Sequence, residues 1–326
     1  MNHLELLQRL HDELRPAGYL QIGVEWGDTL QISRARSVAI EPDPKFRPES
    51  LLGKPRLVLF VGSADDFFRE HQRESMLGDA PLDLALIDGL HRFTQVVRDL
   101  ENIERWAHAD TVVAIHDVLP RSPWEAAQQP HDGFWTGDVW RIVPFLRQYR
   151  PDLRLLLTAA EPTGMLFVTG LDPNHSGMGD LAAEQDKDFP LPGPAYDRLV
   201  EAFIASTNPM PAEDALRALG LSRRLERDWD YVTKWGMRLV ADASWKPLLE
   251  AAEALPDTPQ HHAGMRASLR LIGAFWLPEG VRERAYWSLG RYAREVSALW
   301  PSTTSRILTL PGAASRTLTT PGPVVA

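Results

Sequence analysis

The chain alternates short apolar runs with stretches in which apolar residues recur at helical spacing. Five runs in the first 120 residues are apolar nearly throughout, which is typical of parallel strands covered on both faces. Phe93–Trp106 has helical spacing and separates the fourth run from the fifth. Two later runs flank the turn signal Glu161–Gly164 and predict a hairpin. The predicted strands are residues 19–24, 37–41, 56–61, 82–88, 111–117, 153–157 and 165–168.

This order of elements predicts the fold class. Strands that alternate with helices form a parallel sheet, and the closing hairpin adds an antiparallel edge strand. We therefore expect an α/β fold with a doubly wound, mostly parallel, seven-stranded Rossmann-like sheet. Composition changes after Gly170, so we predict a domain over residues 1–170, a linker over 171–195, an all-α extension over 196–300 and a disordered tail over 301–326.

Charge and composition narrow the partners. The net charge is −9 without a strong basic block, which argues against nucleic acid or an anionic membrane as the main partner. There is no cysteine, so disulfides and thiolate chemistry are excluded and a cytoplasmic location is expected. No apolar run approaches the roughly 18 residues of a membrane span. The sequence leaves open whether the protein forms a homo-oligomer.

Ionisable residues stand at the ends of two neighbouring apolar strands. Asp88 and His91 follow the fourth strand, and His116 and Asp117 end the fifth. In an open α/β sheet, ligands bind at the carboxyl ends of the strands, so these four side chains should converge on one crevice. Burying such groups is costly unless a ligand, a metal or a reaction requires them.

A glycine pair follows the first strand. Gly23 allows a sharp turn with close backbone approach, and Gly27 allows close contact beside the next segment. Glu41 ends the second strand, where an acid grips the ribose of an adenosine cofactor; the alternative is a solvated strand-end acid. Glu25 stands where a phosphate-binding loop has glycine, and its carboxylate would repel pyrophosphate. The pattern therefore favours S-adenosylmethionine over NAD.

Residues 19–170 resemble class I S-adenosylmethionine-dependent methyltransferases. More narrowly, they are similar to the small-molecule and sugar O-methyltransferases related to macrocin O-methyltransferase and to cephalosporin-hydroxylase-like proteins. The resemblance implies methyl transfer to a hydroxyl group of a small molecule or glycan. It is carried by Tyr19–Gly23, Ile40–Pro42, Gly62–Phe68, Ile87–His91, Ile115–Asp117 and Trp135–Trp140.

The resemblance also implies roles for single residues on the cofactor side. Gly23 and Gly27 would border the methionine part of the cofactor, and Glu41 would hold the ribose. Ser63 and Asp65 would lie near the adenine.

On the metal side, the resemblance implies that Asp88 lies near the cofactor amino group or a metal. Asp117 would be a metal ligand, with Mg²⁺ as the candidate ion. Asp-Asp or Asp-Asn would form a more secure site for Mg²⁺ than the pair His116-Asp117 found here.

The two histidines have competing interpretations. His91 is the preferred general base, with Asp88 and Asp117 positioning a metal or the substrate hydroxyl; alternatively, His91 caps the next helix. His116 is the second candidate base; alternatively it is a buried, hydrogen-bonded strand residue. Asp138 is expected to begin or cap the helix from Val139.

Two rival functions follow from the same residues. Both histidines and one of the two aspartates could form the two-histidine, one-carboxylate iron site of an oxygenase. The domain could also be a non-catalytic assembly module whose helical part binds a partner. The tryptophans of the extension fit packing anchors better than an aromatic platform for a sugar or partner; they are Trp229, Trp235, Trp245, Trp276, Trp287 and Trp300.

Overall fold

A computed structural model describes residues 1–45, 48–51, 53–220 and 307–311. All seven predicted strands form, with ends that differ from the prediction by one or two residues. An eighth strand is added near the C-terminus. The strands are β1 Gly18–Ile22, β2 Arg36–Ile40, β3 Arg56–Phe60, β4 Leu84–Ile87, β5 Val112–His116, β6 Arg154–Thr158, β7 Met165–Thr169 and β8 Ile307–Pro311.

The strands form one sheet in the order β6-β7-β5-β4-β1-β2-β3-β8. Strands β1 to β5 are parallel, which confirms the doubly wound, mostly parallel fold. The predicted position of the antiparallel strand is wrong, because β7 inserts between β5 and β6 and β6 forms the edge. The turn between β6 and β7 therefore lies beside the carboxyl end of β5.

Helical spacing also predicts helices over residues 4–14 and 139–149 and the start of one at 28–33. Helices form over the first two of these and over the predicted segment Phe93–Trp106, whereas residues 28–33 form a single 3₁₀ turn, Leu30–Ile32. Two short helices between β3 and β4 were not predicted. Pro144 is accommodated because it lies in the first turn of its helix, where no backbone donor is lost. The α-helices are α1 His3–Leu14, α2 Ala64–Glu70, α3 Arg73–Leu77, α4 Phe93–Glu104, α5 Ile142–Tyr149, α6 Met178–Lys187, α7 Pro194–Ser206 and α8 Ala212–Leu219.

Two apolar clusters cover the two faces of the sheet. One contains Leu6 and Leu10 of α1 together with Leu216 of α8. The other contains residues of α4, α5 and α7, such as Leu100 and Val200. Strand residues alternate between the clusters, as period-two side chains must, so the central strands are buried on both faces. Among the described residues, the loops at the strand ends are left open for a site.

Residues 171–195 contain a helix where the sequence predicted a linker. Helix α6 packs on α4, and the Glu101 carboxylate accepts hydrogen bonds of 2.7 Å from the backbone N–H groups of Gly177 and Gly179. Beside this contact, the guanidinium of Arg150 donates two 2.8 Å hydrogen bonds to the Glu104 carboxylate. Both partners are almost fully buried. These long-range contacts hold α6 in place between two flanking segments, residues 171–177 and 188–195, that are rich in turn-forming residues.

The C-terminal part of the chain is described only in short pieces. Helices α7 and α8 agree with the predicted helical extension, but whether residues 196–300 form a separate domain stays a prediction. Strand β8 lies inside the tail predicted to be disordered and pairs antiparallel with β3, because its extended backbone satisfies the open edge of that strand. The six tryptophans of the extension lie outside the described residues.

Within the part of the chain described here, no helix is long and apolar enough to cross a membrane.

Candidate functional site

The four ionisable residues predicted to converge do so at the carboxyl ends of β4 and β5. The His116 Nδ1 atom lies 3.2 Å from Asp88 Oδ1 and 3.5 Å from Asp117 Oδ1. The His91 Nε2 atom lies 3.1 Å from Asp117 Oδ2 and 3.4 Å from Asp88 Oδ1. Each imidazole thus contacts both carboxylates. This is one polar centre rather than two separate pairs.

The loop from Asp88 to His91 is held by close backbone packing. A Cβ atom at Gly23 would lie 1.9 Å from the Asp88 carbonyl oxygen, and one at Gly137 would lie 1.9 Å from the His91 carbonyl oxygen. Both glycines have left-handed backbone angles, with φ of 80° and 59°. Any larger residue would force the loop to move. The packing of β1 against the end of β4 is therefore the first reason that residue 23 must be glycine.

Asp138 stands directly before the helical segment that begins at Val139, as predicted, but its side chain makes no capping bond to that segment. Its carboxylate instead accepts a 2.7 Å hydrogen bond from the Phe93 backbone N–H, at the start of α4. Arg141 donates a 2.8 Å hydrogen bond to the same carboxylate. The segment that contains Gly137 thus fixes both the carbonyl of His91 and the helix after it.

His91 does not cap α4, because its ring points toward the carboxylates. Its Nδ1 atom lies 3.1 Å from the Trp135 carbonyl oxygen, and its Nε2 atom faces Asp88 and Asp117. Both ring nitrogens therefore face acceptors, which suits an imidazolium. The backbone of His91 has φ of 53°, a conformation that is uncommon for a residue with a side chain and that often occurs at functional sites.

His116 is a buried strand residue, as the alternative to its role as a base predicted, but it is also part of the polar centre. Thr163, in the turn between β6 and β7, lies with its Oγ1 3.5 Å from the His116 Nε2 atom and donates a hydrogen bond to Asp117 Oδ1. Among the described residues, Asp88, His116 and Asp117 form a group whose possible ligand atoms all lie within 4.8 Å of one another. That group has one histidine and two carboxylates, unlike the two-histidine set of the iron alternative.

His3 was not predicted to lie near the site. Its ring centroid is 4.6 Å from that of His116, and its Nδ1 atom lies 3.3 Å from the Glu161 carbonyl oxygen. The backbone N–H of His3 donates a 2.9 Å hydrogen bond to the same carbonyl. The start of α1 therefore covers His116 from the side of the β6–β7 turn.

The carboxylates control the protonation of the histidines. Burial alone would lower the pKa of His116, but the charge and hydrogen bond of Asp88, with the Asp117 charge, raise it to about 9. Burial is likewise outweighed at His91, whose pKa is raised by Asp88 and Asp117. Burial would raise the pKa of Asp88, yet His116 and His91 hold it below its usual range. Burial and the Asp88 charge raise the pKa of Asp117.

His3 differs from the other two histidines, because burial and the nearby charge of His116 lower its pKa. At neutral pH the centre therefore contains a charged His116 beside a neutral His3.

Glu41 shapes the loop after β1. One of its carboxylate oxygens accepts hydrogen bonds of 2.8 Å and 3.0 Å from the backbone N–H groups of Val24 and Glu25. The other accepts a 2.9 Å hydrogen bond from the backbone N–H of Asp43. Glu41 is therefore not a freely solvated acid. Gly27 lies in the same loop with φ of 84°, and its N–H donates to the Val24 carbonyl.

The two residues predicted near the adenine follow β3. Ser63 is the N-cap of α2 and accepts a 3.1 Å hydrogen bond from the Asp66 N–H. Asp65 accepts a 3.1 Å hydrogen bond from the side-chain amide of Gln95, on α4. Both lie at the carboxyl edge of the sheet, but neither contacts the centre formed by Asp88 and Asp117.

Comparison with known proteins identifies the domain. Residues 25–118 match a family model described as a methyltransferase domain. The chain carries a class I S-adenosylmethionine-dependent methyltransferase domain. The family model describes methyltransferase domains in general and does not distinguish the macrocin O-methyltransferase group. No curated protein matches the sequence.

Solved structures similar to this methyltransferase domain are remote. Cofactor-bound Rv0187 from MTB is 19% identical, with 52% of this chain and 79% of that chain covered and a TM-score of 0.40. The O-methyltransferase TomG from Streptomyces achromogenes, in complex with SAM, is 18% identical, with 52% of this chain and 79% of that chain covered and a TM-score of 0.38. An O-methyltransferase from Bacillus cereus in complex with SAH is 17% identical, with 51% of this chain and 80% of that chain covered and a TM-score of 0.37.

The packing of Gly137 against His91 can be tested with a matched pair of glycines. Gly133 lies in the same loop with φ of 97°, and a Cβ atom there would meet nothing within 4 Å. Gly133→Ala should lower the free energy of unfolding by about 1–2 kcal/mol, the cost of a left-handed alanine. Gly137→Ala should cost about 1–3 kcal/mol more, because it also overpacks the loop. Urea unfolding followed by circular dichroism measures both, and equal losses would contradict the packing argument.

The charge state of His116 can be measured by NMR titration in chelator-treated protein. We expect a midpoint near 9, well above the ordinary 6.5, and a lower midpoint in Asp88→Asn. Because the folded-state pKa is raised, the stability from this group is complete below pH 6.5 and is lost as pH rises through about 9. A wild-type midpoint at or below 6.5 would show that the carboxylates do not act on His116 as described.

Proposed function

We propose that this methyltransferase transfers the methyl group of S-adenosylmethionine to a hydroxyl group of a small molecule, either a sugar or another natural product. The observation that carries the proposal is the convergence of Asp88, His91, His116 and Asp117 beside the glycine turn after β1. A hydroxyl group is a poor nucleophile until its proton is removed. A centre with imidazoles and carboxylates can hold the hydroxyl and take that proton.

On the cofactor side, we assign Gly23, Gly27, Glu41, Ser63 and Asp65 as binding residues. When bound, S-adenosylmethionine supplies an electrophilic methyl group, so the protein has to align the acceptor and remove a proton. Glu41 suits this assignment because three backbone N–H groups fix its carboxylate. A carboxylate has about four acceptor positions, so one is left for a ribose hydroxyl.

On the acceptor side, we assign His91 as the general base. The Trp135 carbonyl oxygen faces Nδ1, so a neutral His91 keeps its proton there and presents the lone pair of Nε2 toward Asp88 and Asp117. With the cofactor bound, the hydroxyl proton would pass to Nε2 while the oxygen forms its bond to the methyl carbon. The methyl–sulfur bond of the sulfonium would break at the same time, and S-adenosylhomocysteine would be the leaving group. Asp88 and Asp117 position the hydroxyl group or hold a divalent cation that does so.

The narrower relationship to macrocin O-methyltransferase is part of this proposal. It is supported by Ile87–His91 and Ile115–Asp117, which provide the Asp88, His91 and Asp117 side chains of the centre.

The cofactor assignment predicts a loss of affinity in Glu41→Ala. We expect S-adenosylmethionine and S-adenosylhomocysteine to bind more weakly by about 1–3 kcal/mol, the scale of hydrogen bonds to a charged group. Calorimetry measures this, with Glu184→Ala, an exposed change on α6, as the control. Gly23→Val should abolish binding, but it also displaces Asp88 and is therefore less selective. Unchanged affinity in Glu41→Ala removes Glu41 from the cofactor site, and no binding by the wild type favours the non-catalytic alternative.

The base assignment predicts that His91→Asn lowers turnover about 10²–10⁴-fold with little effect on cofactor affinity. Asparagine suits this position because it tolerates the positive φ of residue 91. Turnover is measured as transfer of labelled methyl from S-adenosylmethionine to a panel of hydroxylated sugars and natural products. His108→Asn is the control, because His108 also pairs with an aspartate, Asp83, but at the opposite edge of the sheet. If His91→Asn retains wild-type turnover, the base is His116.

A further inference from the structure

The spacing of Asp88, His116 and Asp117 suits a coordinated metal ion. The His116 Nδ1 atom is 3.2 Å from Asp88 Oδ1 and 3.5 Å from Asp117 Oδ1. In an octahedral site with bonds of about 2.1 Å, adjacent ligand atoms are about 3 Å apart. Small adjustments would therefore make these atoms adjacent ligands of one ion. His116 is the shared member of both pairs, so it belongs to the ligand set.

The His116 ring is held in the orientation that a ligand needs. Its second nitrogen, Nε2, lies 3.5 Å from the hydroxyl oxygen of Thr163, which itself hydrogen-bonds Asp117. The ring of His3 packs over it at 4.6 Å. Only 9% of the His116 side chain is exposed, so rotation of the ring away from the carboxylates is hindered. Metal-binding histidines are fixed in this way by a partner on the other nitrogen.

We propose that this site binds a first-row transition-metal dication, such as Mn²⁺, Fe²⁺ or Co²⁺, in preference to Mg²⁺. Mg²⁺ prefers a shell of oxygen ligands, whereas an imidazole nitrogen favours transition metals in the order Mn²⁺, Fe²⁺, Co²⁺. His116 is the reason for this preference, because its imidazole offers the metal a nitrogen atom where an aspartate would offer an oxygen atom. This inference depends on the proposed function in one respect, namely that the metal site is also the site of methyl transfer. The preference for a transition metal does not depend on it.

The test is a metal titration of the full-length chain after removal of bound metals. MgCl₂, MnCl₂ and CoCl₂ are titrated by calorimetry, and the visible absorption of Co²⁺ reports its ligands. We expect Co²⁺ to bind about tenfold or more tightly than Mg²⁺, with Mn²⁺ between them. His116→Asn should weaken Co²⁺ about tenfold or more and change its spectrum, while Mg²⁺ affinity stays or rises.

His91→Asn is the matched control, because His91 contacts the same two carboxylates but does not belong to the ligand group. It should preserve the ratio of Co²⁺ to Mg²⁺ affinity. Equal affinities of the wild type for Co²⁺ and Mg²⁺, no binding of any ion, or equal effects of the two variants would overturn the proposal. His116→Gln replaces His116→Asn if the latter does not fold, and the wild-type ratio is decisive without either variant.

Calorimetry with S-adenosylmethionine on the same samples separates this inference from the proposed function. Cofactor binding without transition-metal preference rejects the metal proposal alone. Transition-metal preference without cofactor binding rejects the methyltransferase proposal and leaves the metal site in place.

Discussion

The site depends on the contact of two glycine residues with one loop. Gly23 and Gly137 come from different parts of the chain, and each leaves room for a carbonyl oxygen of the Asp88–His91 loop. This packing brings the end of β1 against the end of β4, and it brings the segment after β5 against the loop that follows β4. Because the loop is held by backbone contacts, the side chains of Asp88 and His91 are available for chemistry. The same contacts explain why His91 keeps an uncommon backbone conformation.

Charge balance is the second constraint on this centre. Two largely buried carboxylates are unfavourable unless about two positive charges lie beside them. Here His116 and, when it is protonated, His91 provide these charges, and each ring contacts both Asp88 and Asp117. A divalent cation would supply the same total charge. If the proposed metal binds, it would therefore replace the imidazole protons without making the centre strongly charged.

The sequence was sufficient to predict the sheet and the edge at which the site lies. Apolar strands specify burial on both faces, and the topology places Asp88 and His116 side by side whatever their side-chain contacts. His3 and Thr163 could not be found in this way, because each reaches the site through a partner remote in sequence. Thr163 had a signal in retrospect: once β7 is placed beside β5, the turn before β7 must adjoin Asp117.

Two segments contain secondary structure that their local sequence pattern did not predict, because each is held by a long-range contact. The glycine- and aspartate-rich segment after Gly170 favours loop structure, but Glu101 satisfies the backbone N–H groups at the start of α6 and allows a helix there. The polar tail includes β8, since the edge of β3 offers hydrogen-bonding groups that an extended segment can pair with. Neither partner is visible from the sequence of the segment itself.

The position of His116 shows how fold and chemistry are separated in this methyltransferase domain. Residue 116 is the last residue of β5, and its backbone is fixed by pairing with Met165 of β7. The register of the sheet therefore determines where this side chain emerges, independently of its type. A change between carboxylate and imidazole at this position alters the donor atom offered to the site while the scaffold stays the same. The chemistry of the centre can thus be changed at one strand end without changing the fold.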